Sequence, residues 1–115
     1  MLVFSNEINQ DGFSNWVSIT PGPNNNGCSS PVGMLGNGKQ ELTIGSNCVG
    51  KQRAIIHELL HTLGFGHEHQ RNDRQKHLQF KKHNMQHGQL ENFKRIDKDH
   101  NCKWANLETA YDLWV

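Results

Sequence analysis

The segment HELLHTLGFGH, residues 57–67, constrains this chain more than any other. His57 and His61 are four residues apart. On a helix turning about 100° per residue they stand roughly 40° apart and share one face. Two imidazoles so placed can reach a single ion. Glu58, one position on, lies on the same flank. It is poorly placed to join as a ligand, but its carboxylate can reach a water held by the ion. Gly64 supplies a residue free to adopt positive φ, so the helix ends and the chain turns sharply. The turn brings His67 back as a third ligand. Three protein nitrogens and one water give the open tetrahedral arrangement of a catalytic zinc, whereas a structural zinc has all four positions closed. At such a site zinc lowers the pKa of its water to about 7 and polarises a peptide carbonyl. Glu58 is then the general base, taking the proton as the water attacks and passing it to the leaving amine. The competing reading is a polar helix whose histidines are solvated or packed. H-E-x-x-H alone arises by accident in helices that bind nothing. A correctly spaced glycine and third histidine make the extended pattern far more specific.

The flanking sequence supports a helix carrying this motif. From about Gly50 to Leu63, the residues Ala54, Ile55, Leu59, Leu60 and Leu63 form a broad apolar side. Before it, short strands are expected. Leu2 to Phe4 is a short apolar stretch. Asn15 to Thr20 alternates, with Trp16, Ser18 and Thr20 on one side and Val17 and Ile19 on the other, and reads as a strand with a buried face. Ser29 to Leu35 reads as a weaker strand that Pro31 confines to a sheet edge. Glu41 to Ile44 is another short strand. PGPNNNG, residues 21–27, is a loop by composition. Beyond Gly64 the sequence is mostly polar, with a helical turn or two expected over Gln89 to Ile96. His69, His77, His83, His87 and His100 lie in polar sequence without ligand spacing and are expected to be solvated.

A chain of 115 residues supports one small domain. The formal net charge is +1, and Lys and Arg are not gathered into a block, so no nucleic-acid footprint is present. No apolar run approaches the roughly 18 residues needed to span a bilayer. The start, MLVFSNEINQ, lacks the basic, apolar and small-residue regions of a secretion signal. Three cysteines and a polar, Gly- and Asn-rich first half nevertheless suit an extracellular domain.

Residues 57–74, HELLHTLGFGHEHQRNDR, resemble the astacin family of metzincin endopeptidases, whose signature reads H-E-x-x-H-x-x-G-F-x-H-E-x-x-R-x-D-R. His57, Glu58, His61, Gly64, Phe65, His67, Glu68, Arg71, Asp73 and Arg74 fill every fixed position. Asn15 to Thr20 is similar to the family's core strand. Gly27-Cys28 with Val32-Gly33 is similar to its substrate-binding edge strand, and Gly88 to Lys94 to the segment after the zinc motif. The resemblance implies an α/β fold (α+β, zincin-like), a twisted mixed sheet with the active-site helix behind it. It implies residues 1–67 as an N-terminal subdomain carrying that helix and residues 68–115 as the start of a C-terminal subdomain. It further implies one Zn2+ per chain on His57, His61 and His67, with Glu58 catalytic. A protein or peptide substrate would lie extended along the edge strand, through main-chain hydrogen bonds. Cys28 and Cys48 would be bridged and Cys102 free. Glu68 would help anchor an N-terminus freed from a propeptide, which implies a secreted parent.

The sequence departs from the family pattern at Ser29-Ser30-Pro31, where the family carries an aromatic pair. Tyr111-Asp112 would lead into the family's Met-turn and its zinc-side tyrosine, so the C-terminal subdomain is expected to be truncated here. Two functions follow as expectations. One is a zinc-dependent endopeptidase. The other is a catalytically impaired short form, or decoy, that binds zinc or extended peptides without efficient cleavage.

Overall fold

The computed structural model describes residues 3–5 (backbone only), 14–22, 26–95 and 110–112. Leu2, Ile96, His100, Cys102 and residues 113–115, which carry some of the expectations above, lie outside the described residues. The chain divides into two compact units, Met1–Gly66 and His67–Val115.

The first unit is a mixed α/β arrangement. Its strands are β1 (Val3–Ser5), β2 (Trp16–Thr20), β3 (Cys28–Ser29) and β4 (Lys39–Ile44), and its helix is α1 (Gln52–Thr62). They form one sheet in the order β1-β2-β4-β3. β1, β2 and β4 run parallel, and β3 is antiparallel to β4. Parallel strands in the middle of a sheet are covered on both faces. Accordingly the adjacent residues Val17 and Ser18 are both buried, although a half-exposed strand would bury only alternate positions. Pairing sets Val17 beside Gln40 and Ile19 beside Leu42. Val17, Gln40 and Leu42 are buried, but Ile19 is 52% exposed. The single buried face expected from the alternation is thus replaced by burial on both faces, at Val17 and Ser18.

The edge strand is shorter than expected. β3 pairs with β4 only through Cys28 opposite Ile44 and Ser29 opposite Thr43. The chain leaves the sheet where Pro31 has no N–H to give and Gly33 takes a left-handed φ of 76°. At its far end β3 is fastened by a disulfide between Cys28 and Cys48, with Cα atoms 6.1 Å apart and a sequence separation of 20. Closing a loop of this size restricts the unfolded chain by about 3 kcal/mol in the chain-entropy account. Replacing both cysteines by serine is expected to lower the unfolding free energy by roughly 2–5 kcal/mol. Denaturant titration of the two proteins checks this, and non-reducing peptide mapping should recover the 28–48 link.

α1 packs against β3 and β4. Its end follows from Gly64, at φ 101°. The Gly64 N–H donates to the His61 carbonyl at 2.9 Å and the Phe65 N–H to the Leu60 carbonyl at 3.0 Å. These are reverse bonds that close a helix around a left-handed glycine and satisfy its last carbonyls. The expected apolar side of α1 is half-buried at Ala54, Ile55, Leu59 and Leu60. None of its apolar residues is among the buried core, Leu63 just past its end is exposed, and the buried positions are Glu58, His61 and Thr62.

The second unit holds short 3-10 turns at Glu68–Gln70, Arg74–Lys76, Lys82–Asn84 and Gln89–Phe93. Arg74 ties it together. Its guanidinium donates to the His69 carbonyl at 2.8 Å and to the Phe93 carbonyl, and stands 4.4 Å from the centre of the Phe80 ring. His69 is not simply solvated, as its ring nitrogen is 3.0 Å from the Asn92 carbonyl and its ring lies beside Phe93. His77, His83 and His87 are exposed as expected, and His77 also stacks on Tyr111. Among the described residues no helix is long and apolar enough to cross a membrane.

Candidate metal centre

The helix places the histidines as their spacing predicts. His57 and His61 meet edge to face with ring centroids 4.4 Å apart. The chain reverses at Gly64, and the donor nitrogens offered by His57, His61 and His67 all lie within 4.8 Å of one another. His61 is buried, His57 half-buried and His67 exposed. Among the described residues this is the only group of histidine, cysteine or carboxylate side chains that could hold a metal ion.

The His61 ring is also oriented. Its Nδ1 lies 2.7 Å from the Phe65 carbonyl oxygen. A carbonyl can only accept, so Nδ1 carries the proton and Nε2 presents its lone pair. A backbone carbonyl on the far nitrogen is the usual means of fixing a metal-binding imidazole. Three neutral nitrogen donors, one with its tautomer already set, make a donor set suited to zinc. Glu58 is 9% exposed on the same helix.

Two hydroxyls at the helix end lie outside the motif. Thr62 is buried, its Oγ1 within reach of the Glu58 carbonyl at 3.1 Å and 2.7 Å from the Ser30 hydroxyl. The signal for them lies in no local pattern, since Ser30 and Thr62 are brought together only by the fold.

Past His67, the signature residues Glu68, Arg71 and Asp73 form an ion network within the second unit. Arg71 holds Asp73 through two parallel bonds, Nε to Oδ1 at 2.9 Å and Nη2 to Oδ2 at 2.8 Å. Its Nη1 donates to Glu68 Oε1 at 2.5 Å, and that same oxygen accepts the Asp112 N–H at 3.1 Å. Hydrogen bonding from Arg71 holds the Asp73 carboxyl below its usual range, against a smaller opposing effect of burial. The bonds to Asp73, and next the Glu68 carboxylate, push the Arg71 guanidinium higher still. Burial pushes the Tyr111 phenol up, and the Glu68 charge adds to it. A carboxyl with a depressed native pKa contributes stability that is present above its unfolded value, about 3.9 for Asp, and lost as pH falls through the native value. Arg71→Met is therefore expected to destabilise the protein at neutral pH. Its deficit relative to wild type should shrink below about pH 4, as read by denaturant unfolding across an acid series.

Comparison with known proteins agrees with this geometry. The sequence model of the peptidase family Astacin matches residues 3–114. The dorsal-ventral patterning protein tolloid of Drosophila melanogaster is 54% identical over 69 residues, covering 60% of this chain and 6% of tolloid. Zinc metalloproteinase nas-15 of Caenorhabditis elegans is 43% identical over 98 residues, 85% of this chain and 16% of that protein. Among solved structures, high choriolytic enzyme 1, a hatching enzyme zinc-protease from Oryzias latipes, superposes with a TM-score of 0.70 at 30% identity. That superposition covers 91% of this chain and 48% of the hatching enzyme. The chain thus spans under a quarter of the length of these curated relatives and about half of the solved one.

Proposed function

This chain belongs to the astacin family of peptidases, and from that premise we propose that it acts as a zinc-dependent endopeptidase, with His57, His61 and His67 as the metal ligands and Glu58 as the general base. The observation that carries the reading is the convergence of three imidazoles, one of fixed tautomer, with the buried Glu58 next to His57 in the chain. When bound there, zinc supplies Lewis acidity toward a carbonyl oxygen and a water acidified to a pKa of about 7. His61 contributes Nε2, since its Nδ1 proton is committed to Phe65. Glu58 accepts the proton of the attacking water and returns it to the departing amine, so no bond between enzyme and substrate forms.

The substrate is a protein or peptide in extended form. β3 stands at the end of the sheet order, paired to β4 on one side, and among the described residues no strand pairs with its other side. Main-chain pairing along such an edge is a general way of holding extended peptides, and specificity then rests on the side chains that flank it. Secretion is supported by the Cys28–Cys48 disulfide, because such bonds persist in oxidising compartments.

The test is incubation of the purified protein with an unstructured protein substrate at neutral pH. Cleavage at internal peptide bonds, stopped by a chelator and restored by added zinc, is the expected result. Cleavage that survives chelation, or none with zinc stoichiometrically present, would overturn the proposal.

A further inference from the structure

We propose that Gln40 is a positioning residue for the metal centre, acting through Gly33 on the backbone of His61. The inference rests on the reading of His61 as a metal ligand. Gln40 lies in β4, which is flanked by β2 on one side and β3 on the other. Its side chain is only 3% exposed. A buried primary amide is costly unless its polar atoms are bonded. Here both ends are used on one short loop. Nε2 donates to the Gly33 carbonyl at 3.0 Å, and Oε1 accepts the Leu35 N–H at 3.0 Å. The partners fix the orientation of the amide, because a carbonyl requires a donor and an N–H requires an acceptor.

The loop so held reaches the end of α1. The Gly33 N–H donates to the His61 carbonyl at 2.8 Å, the same carbonyl that closes the helix by accepting from Gly64. Gly33 and Gly64 face each other, and a Cβ built on Gly33 would stand 3.8 Å from the Gly64 Cα. Both take left-handed φ angles, 76° and 101°. His61 is therefore gripped twice. Phe65 fixes its ring through Nδ1, and Gly33 fixes its backbone. The second grip is anchored by Gln40 to β4 where it pairs with Val17 of β2, which places the ligand on a rigid support. Gly33 has one bond inward to the helix and one to Gln40, so loss of the amide frees the loop and loosens the carbonyl it caps.

The experiment compares wild type with Q40M and Q40E in the full chain. Q40M removes both bonds at similar volume. Q40E keeps an acceptor for the Leu35 N–H but sets a carboxylate against the Gly33 carbonyl. In the metal-free protein, wild type should protect the Gly33 and Leu35 amides from hydrogen exchange. Q40M should lose both, and Q40E should retain Leu35 better than Gly33. By chelator competition, zinc affinity should fall about 10- to 100-fold in Q40M, the range seen when a partner supporting a ligand is removed. Any loss of turnover should fall on kcat, with KM little changed. A purely structural role would lower the unfolding midpoint and leave the zinc affinity of the folded variants at the wild-type value; that result overturns the inference. Rapid exchange at Gly33 in wild type overturns it as well. Should Q40M fail to fold, the contrast between Gly33 and Leu35 and the zinc affinity in Q40E decide the matter. Wild type that takes up no zinc refutes the functional reading instead, and the two failures are thus distinct.

Discussion

Replacing Glu58 by glutamine is expected to leave zinc in place and lower kcat/KM by about 100- to 10,000-fold, the contribution typical of a positioned general base. Glutamine keeps the shape of the side chain, which matters at a position only 9% exposed. It cannot take up a proton at neutral pH. The proposed ligands are the three histidines, so metal content should not change. Stability should change little, because the substitution removes a sheltered charge without altering volume. Elemental analysis, unfolding and steady-state kinetics on the same preparation separate these effects. Normal turnover in Glu58→Gln would end the assignment of Glu58 as base. Loss of zinc together with activity would show that Glu58 acts on the metal site itself.

The second large effect is expected in the core. Leu42 is fully buried, the largest such side chain among the described residues, and sits in the middle of β4 beside Ile19. Its buried apolar company among those residues is small, Val17 and Cys48. Leu42→Ala removes buried methyl groups and leaves a space that a strand held in register by its neighbour β2 cannot easily close. Such changes cost about 2–5 kcal/mol, against a total stability of roughly 5–15 kcal/mol for a typical domain. Denaturant unfolding should show the midpoint shifting with little change in slope. A loss below about 1 kcal/mol would mean that the site collapses around the smaller side chain.

The parts of this molecule that are legible in the sequence are those set by local geometry. The i, i+4 spacing of His57 and His61 needs only a helix, and the helix end at Gly64 needs only a residue tolerant of positive φ. Both are properties of neighbouring residues, and both stand in the structure. The position of β3 at an edge is also readable, from Pro31, because a missing N–H is a local fact. Its length is not. Where the chain leaves the sheet depends on Gly33 meeting Gly64, a contact between residues far apart in sequence.

The same distinction explains the other departures. Alternation in Asn15 to Thr20 implies one buried face, but burial of a strand residue depends on what covers that point of the sheet: Val17 and Ser18 are both buried, and Ile19 stays half open among the described residues. The apolar side of α1 is half-buried at Ala54, Ile55, Leu59 and Leu60, and the fully buried residues are Glu58, His61 and Thr62. A hydrophobic pattern reports which face turns inward, and does not report how much protein lies over each position. His69 reads as solvated because its partner Asn92 is distant in the chain. Gln40 carries no signal at all. It is one polar residue in KQELTI, residues 39–44, a stretch whose strand character is evident only from Glu41 onward.

The most direct test of the central claim is the zinc content of the purified chain after dialysis against chelator-free buffer, measured beside His61→Ala. The account predicts one zinc per wild-type chain, and little or none retained by His61→Ala, whose remaining two histidines cannot hold the ion as firmly. Wild-type protein that is folded but retains no zinc, or a variant that retains as much as wild type, would contradict it.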